Sequence, residues 1–238
     1  MTILDILFPL LLLGIVLGPV LYSNIKEYKT FSNSSYKVQT GNSYLKTLWD
    51  KGKYGEFLTY SKLRYWEETG AKFLYNIYVP TASGKTTEID LLLITHKGIF
   101  VFESKNYSGW IFGNERQTQW TQTLCDGRSS QKNHFYNPIM QNNGHIKHLK
   151  NIIGTATPVY SVIVFSERCT LKNVSVYSPS VRVVKRTDIA HAVNSIAQTS
   201  EFDFLNDEQI TQVYEKLLPF SQVTETVKQQ HIDNIKNH

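Results

Sequence analysis

Cysteine is nearly absent, with only Cys125 and Cys169 in 238 residues. Their spacing forms no pair, which excludes a disulfide framework or a zinc-binding cluster and fits a reducing compartment. Charge is thin as well: Asp, Glu, Lys and Arg make up 19% of the chain, with a net charge of +5 and a pI near 9.0. So mild a basic balance admits an anionic partner such as nucleic acid or lipid without requiring one. There is no internal repeat and no serine or cysteine triad. Gly84-Lys85-Thr86 is not a phosphate loop, because Val79 stands where the first glycine belongs and a strand, not a helix, follows. What is plentiful is aromatic bulk, with fourteen Tyr and twelve Phe, and that is the composition of a globular domain.

The N-terminus is the one long apolar stretch. Ile6 to Tyr22 carries no charge, and from Ile3 onward only Asp5 interrupts it. At about 1.5 Å per residue that run reaches across a bilayer core. A cleaved signal peptide is the competing reading. No Lys or Arg precedes the run, however, and no small-residue cleavage site follows it. The expectation is a retained transmembrane anchor over residues 1–24, with Pro9 and Pro19 tolerated near its ends. Lys26, Lys29 and Lys37 follow the span, so the positive-inside bias gives a single-pass protein of the cell membrane with its domain in the cytoplasm. Residues 25–46 read as a polar juxtamembrane linker. A domain over 47–218 follows, with its core at 52–150 and an α/β extension behind. Residues 219–238 read as a polar tail, weakly helical or loose.

Within the domain, apolar spacing predicts a helix from Tyr54 to Glu68, ended by Gly70. Three strands follow, in KFLYNIYVP and across TTEIDLLLITHKGIFVFESK, and then a short hairpin around Trp110 and Trp120. Asn137 and Pro138 open a further helix as N-cap and first helical residue. The almost continuous apolar run VYSVIVF is a strand covered on both faces. A strand near Val181–Val184 and helices over about Thr187–Ala197 and Asn206–Leu218 complete a mixed α/β domain with one central sheet.

The strand GIFVFESK ends with an acid and a base on its inward face, since Ile99, Val101, Glu103 and Lys105 alternate together. With His96 and Lys97 at the tip of the hairpin, cross-strand partners sum to 193. Asp90 then faces Glu103, and Glu88 faces Lys105. Two carboxylates so placed repel each other unless a cation lies between them, and oxygen ligands from one or two carboxylates are how Mg²⁺ is held. Lys105 beside them could steady a developing anion. The same four residues also read as a surface ion network at an exposed sheet end, and periodicity leaves the two about even.

In order and spacing, GKYGE, then Asp90-x₁₂-Glu103-x-Lys105, then NPIMQN resemble the nuclease-related domain, a family of the PD-(D/E)xK nuclease superfamily, over about Gly52 to Lys150. The resemblance implies a restriction-endonuclease-like fold, a mixed central sheet flanked by helices. It further implies a metal site of Asp90, Glu103 and Glu56 for Mg²⁺ or Mn²⁺. Lys105 would assist the attacking water, and Gln141 would join from the helix after the core strands. The expected function is hydrolysis of nucleic acid phosphodiesters, with DNA favoured over RNA. The alternative is a catalytically silent module that tethers nucleic acid or protein at the membrane. From the residues alone, Glu56 reads as first-turn capping electrostatics and Gln141 as solvent-facing. His145 and His148, with Lys147 and Lys150, read as a solvated basic face, and Trp110, Trp120 and Tyr107 as packing. No residue is singled out as a nucleic-acid contact.

Overall fold

The computed structural model describes residues 3–125 and 129–236. Four helices, α1 (Ile3–Ser32), α2 (Ser35–Thr40), α3 (Tyr44–Trp49) and α4 (Lys51–Leu63), precede strands β1 (Lys72–Pro80), β2 (Thr86–Thr95) and β3 (Gly98–Lys105). Next come β4 (Gly109–Asn114), β5 (Gln119–Cys125), β6 (Ser130–Tyr136) and helix α5 (Pro138–Ile153). Strands β7 (Val159–Phe165), β8 (Cys169–Ser175) and β9 (Val181–Lys185) follow, and then α6 (Ile189–Ala197), α7 (Asp207–Ser221) and α8 (Glu225–Lys236).

The apolar strands form a five-stranded sheet in the order β1-β2-β3-β7-β9. Its first three strands are an antiparallel meander, while β7 and β9 run parallel to β3. Both faces are covered, as the unbroken apolar run of β7 requires. On one face α4 and α6 bury Phe57, Tyr60, Leu63, Val193 and Ile196 against Phe100 and Phe102. On the other, α5 and α7 bury Leu149, Ile210 and Leu217 against Leu92, Ile99 and Val101. The expected single sheet is thus corrected to two, because β6, β5, β4 and β8 form a separate four-stranded sheet. Its inner face packs Ile111 and Trp120 onto Ile163 and Phe165 of β7.

Capping chemistry sets the helix ends. Asp50 accepts from the amides of Gly52 and Lys53, so α4 begins at Lys51, three residues before the expected start. Its expected last turn is a 3₁₀ helix, Arg64–Thr69, closed by Gly70 at φ 84°. Glu56 consequently lies beyond the first turn, and its reading as first-turn electrostatics does not hold. Helix α5 opens as expected, with the Asn137 side chain accepting from the Ile139 amide and Pro138 at its start.

Both ends of the domain are packed more firmly than their polar composition suggests. The segment 25–46, expected to be a polar linker, is helical over most of its length and supplies Phe31 and Tyr36 to the core. These rings pack on Phe57 and Tyr75, with centroids 5.0–5.2 Å apart for Phe31–Phe57 and Tyr36–Tyr75. Glu27 of α1 accepts from the hydroxyls of Tyr44 (3.0 Å) and Tyr54 (3.2 Å), which ties α1 to α3 and α4. The tail, read as weakly helical or loose, is helix α8 from Glu225 to Lys236, and its His231 is buried against Tyr78 and Thr86. Polar composition concealed how both segments are held, because a few large side chains at long range fix them rather than any local pattern.

Among the described residues no helix is long and apolar enough to cross a membrane. The anchor expected over 1–24 rests mostly on residues 1–14 and 16, whose side chains lie outside the described residues. Phe31→Ala is expected to destabilise the domain by about 3–5 kcal/mol in urea unfolding, as for a buried ring, against about 0.5 kcal/mol for a side chain in a free linker.

Candidate active site

The hairpin between β2 and β3 has the expected register. Thr95 pairs with Gly98, Ile94 with Ile99, Leu92 with Val101 and Leu91 with Phe102. There the backbone pairing stops. Asp90, next in line and opposite Glu103, instead uses its Oδ2 to accept the Ser104 amide at 2.8 Å. The ladder also breaks on Asp90's other side: β1 pairs Tyr75 with Leu91 and Ile77 with Ile89, but skips Asn76. Asn76 has φ 49°, the one positive φ at a non-glycine among the described residues. That conformation costs roughly 1–2 kcal/mol for an ordinary L-residue and less for Asn. The sheet therefore opens around the Asp90 side chain on both edges, and the Asn76 side chain lies close enough to Glu56 of α4 to favour its ionised form.

Glu103 is only 3% exposed, and both its oxygens are held. Oε1 lies 2.7 Å from Lys105 Nζ and Oε2 lies 3.2 Å from His145 Nε2. Lys105 also donates to Gln141 Oε1 at 2.9 Å. His145, 6% exposed, closes the group through Nδ1 and the Thr87 hydroxyl, 2.6 Å apart. Gln141 and His145 stand four apart on α5, so one helix face presents both to the sheet. The structure thus brings Asp90, Glu103, Lys105 and Gln141 together and draws Glu56 within electrostatic reach of Asp90. Two expectations are corrected: Gln141 does not face solvent, and His145 is not on a solvated basic face. The signal for His145 was its position one helical turn after Gln141.

The electrostatics are conflicted. Burial raises the Asp90 carboxyl well above the ordinary carboxylate range, and the charges of Glu103 and Glu56 add to the rise. Glu56 is raised too, by burial and then by Glu88 and Asp50. For Glu103, burial also works upward, but His145 and Lys105 outweigh it and hold the group below its usual value. Burial works against the Lys105 charge, and Glu103 and Asp90 more than restore it. Asp90 is thus the carboxyl whose ionised form the site itself does not compensate. As donors, Asp90, Glu103 and Glu56 offer the hard oxygens a divalent cation takes, and such an ion would relieve their repulsion. Among the described residues, however, no three His, Cys, Asp or Glu side chains converge as a ready metal cluster. In this arrangement Lys105 and His145 hold the oxygens of Glu103.

Comparison with known proteins matches the nuclease-related domain family to residues 51–166. The chain is also 32% identical, over 187 residues, to an uncharacterized protein of Bacillus anthracis, an alignment spanning 79% of this chain and 84% of that protein. The chain belongs to the nuclease-related domain family. The matched nuclease-related domain runs from the start of α4 to the end of β7 and holds every residue of the cluster: Glu56, Asp90, Glu103, Lys105, Gln141 and His145.

The raised Asp90 pKa has a sign that can be checked. A carboxyl raised in the fold binds more protons folded than unfolded, so stability falls as pH climbs above the ordinary Asp range. With divalent ions chelated at neutral pH, Asp90→Asn is expected to melt above wild type, by about 2–4 °C per kcal/mol relieved. The gap should close below about pH 4, where both states hold the proton. Equal melting temperatures at both pH values would show that the repulsion is not felt.

Proposed function

We propose that this nuclease-related domain is a metal-dependent nuclease that hydrolyses phosphodiester bonds of nucleic acid and is held at the membrane by its N-terminal helix. The observation that carries the reading is an acid pair where the sheet opens, a half-buried Asp90 and a buried Glu103, with Lys105 held beside it by Glu103 and Gln141. Pure structure would gain nothing from this group, since an apolar pair would fill the sheet at no electrostatic cost.

Each residue has a part. The Ser104 amide fixes one oxygen of Asp90, and His145, steadied by Thr87, fixes one oxygen of Glu103. Glu103 and Gln141 take two of the three Lys105 protons, which leaves the third to orient a water or to meet a phosphoryl oxygen. Asp90, Glu103 and Glu56 would hold Mg²⁺ or Mn²⁺, which, when bound, supplies Lewis-acid polarisation of the phosphate and activation of water. The engagement of both Glu103 oxygens by protein groups favours a second reading, a silent module that binds nucleic acid without cutting it.

For the membrane, the support is a long single helix, Ile3–Ser32, whose Ile15, Leu17, Val20 and Leu21 are exposed rather than packed on the domain. One turn further, Lys26, Lys29 and Arg64 line a cavity of about 300 Å³ with Tyr22 and Ile25, a set suited to a phospholipid headgroup level.

Full-length protein in detergent is expected to degrade DNA or RNA with Mg²⁺ or Mn²⁺, to stop on chelation, and to lose at least about 100-fold in rate in Asp90→Ala and Lys105→Ala. Wild type and Asp90→Ala behaving alike on DNA, RNA and branched substrates would leave only the silent module. Separately, the chain should remain in the membrane pellet after alkaline carbonate washing. Release of the full-length protein into the wash would remove the anchor.

A further inference from the structure

The second sheet has a face that no part of the proposed chemistry uses. Ile111, Trp120, Phe135 and Leu171 point inward, so alternation puts Trp110, Phe112, Thr121, His134 and Tyr136 on the opposite side. Cross-strand pairing joins them into one surface: Phe112 lies opposite Thr121, Thr121 opposite His134, and Trp110 opposite Thr170. The register shift in β8 after Ile111 turns both Lys172 and Asn173 outward.

Three properties of this face belong together. It is aromatic and open, with Trp110 42% and Tyr136 53% exposed. Its strands carry cations and no acid: no Asp or Glu occurs in β4, β5, β6 or β8, while Lys132 and Lys172 do. The nearest acid in the following turn, Glu115, is already taken by the Tyr177 and Ser178 amides and the Ser178 hydroxyl. Finally it is rich in amides, and a cavity of about 490 Å³ is lined by Phe112, Asn114, Gln119, Thr121, His134 and Asn173. By the same alternation the face presents no Leu, Ile or Val, which argues against a bilayer or an apolar protein partner.

We propose that the outer face of the β6-β5-β4-β8 sheet is a binding platform for single-stranded nucleic acid. Bases stack on Trp110 and Tyr136, Lys132 and Lys172 meet phosphates, and the amides of Gln119 and Asn173 meet base edges. Lys172 already stands 5.2 Å over the Trp110 ring, a stacked cation beside a stacking surface. A duplex hides its bases and offers this face only phosphates, so unpaired strands are the better ligand. The platform is tied to the acid cluster by a short path. Only Asn106, Tyr107 and Ser108 separate Lys105 from β4, at most about 14 Å of chain. Asn106 is held in place by Arg168 and by the Lys51 carbonyl.

The inference rests on the nuclease reading for its purpose but not for its test. Full-length protein in detergent, with metals chelated, is titrated against fluorescein-labelled 15-nucleotide DNA and RNA strands and the matched duplexes, and anisotropy is read. Single strands are expected to bind more tightly than duplexes, and Trp110→Ala and Tyr136→Ala should each weaken that binding about tenfold. Lys132→Gln with Lys172→Gln should lower the slope of log affinity against log salt by about 1.4. Affinity unchanged in all of these variants, or equal for strands and duplexes, overturns the platform. A chain that cuts with Mg²⁺ yet ignores these substitutions keeps the nuclease and loses the platform. A chain that needs them to bind but does not cut keeps the platform and loses the nuclease.

Discussion

A carboxylate set inside a sheet cannot be satisfied by the sheet, and Asp90 is placed where the backbone ladder gives out on both sides. To its one side Asn76 adopts a left-handed backbone conformation instead of pairing. To the other, the carboxylate itself takes the Ser104 amide in place of a strand carbonyl. The apolar residues Leu91 to Ile94 and Ile99 to Phe102 are fully buried and hold the rest of the hairpin shut. The opening is thus local, and the hydrophobic floor beneath it offsets its cost. Elsewhere in the molecule a half-buried acid wedged into a sheet would be a defect; here the surrounding structure over-determines it.

The groups around Asp90 form a chain of fixation rather than a list of neighbours. Thr87 orients His145, His145 and Lys105 hold Glu103, and Gln141 holds Lys105. Four elements, β2, β3, α5 and α4, each contribute to the cluster. Such a network in a low-dielectric setting makes each member depend on the next, and an unpaired survivor costs several kcal/mol. The cap of α5 belongs to this logic: Asn137 ties the helix start to the carbonyls of Asn114, Glu115 and Gln117. The angle at which Gln141 and His145 enter the site is therefore set by the second sheet.

How much of this could be read in the residues follows from the range of the forces involved. The β2–β3 register was legible because a two-residue turn fixes it within twenty positions, and with it the meeting of Asp90, Glu103 and Lys105. Strong alternation made the main sheet plain, and Asn137-Pro138 announced α5. The short strands β6 and β8 were missed because SQKNHFY and CTLKNVS lack apolar alternation and are fixed by their partners. His145 was misread because its burial depends on a helix packing across Glu103, which no local pattern encodes. Asn76 was invisible, since a backbone angle leaves no mark on composition. Phe31, Tyr36 and His231 were lost in polar surroundings for the same reason: their partners are far away in sequence.

The aromatic packing of Phe31 and Tyr36 has a mechanical meaning. With Glu27 bonded to Tyr44 and Tyr54, the end of α1 is braced against α4, the helix that carries Glu56. A protein held by a flexible leash sweeps a hemisphere and meets substrate in any orientation. A strut does not. If α1 enters the bilayer as proposed, the acid cluster stands at one height and one tilt above the lipid. Only strands that approach along the membrane surface in the matching direction would reach it.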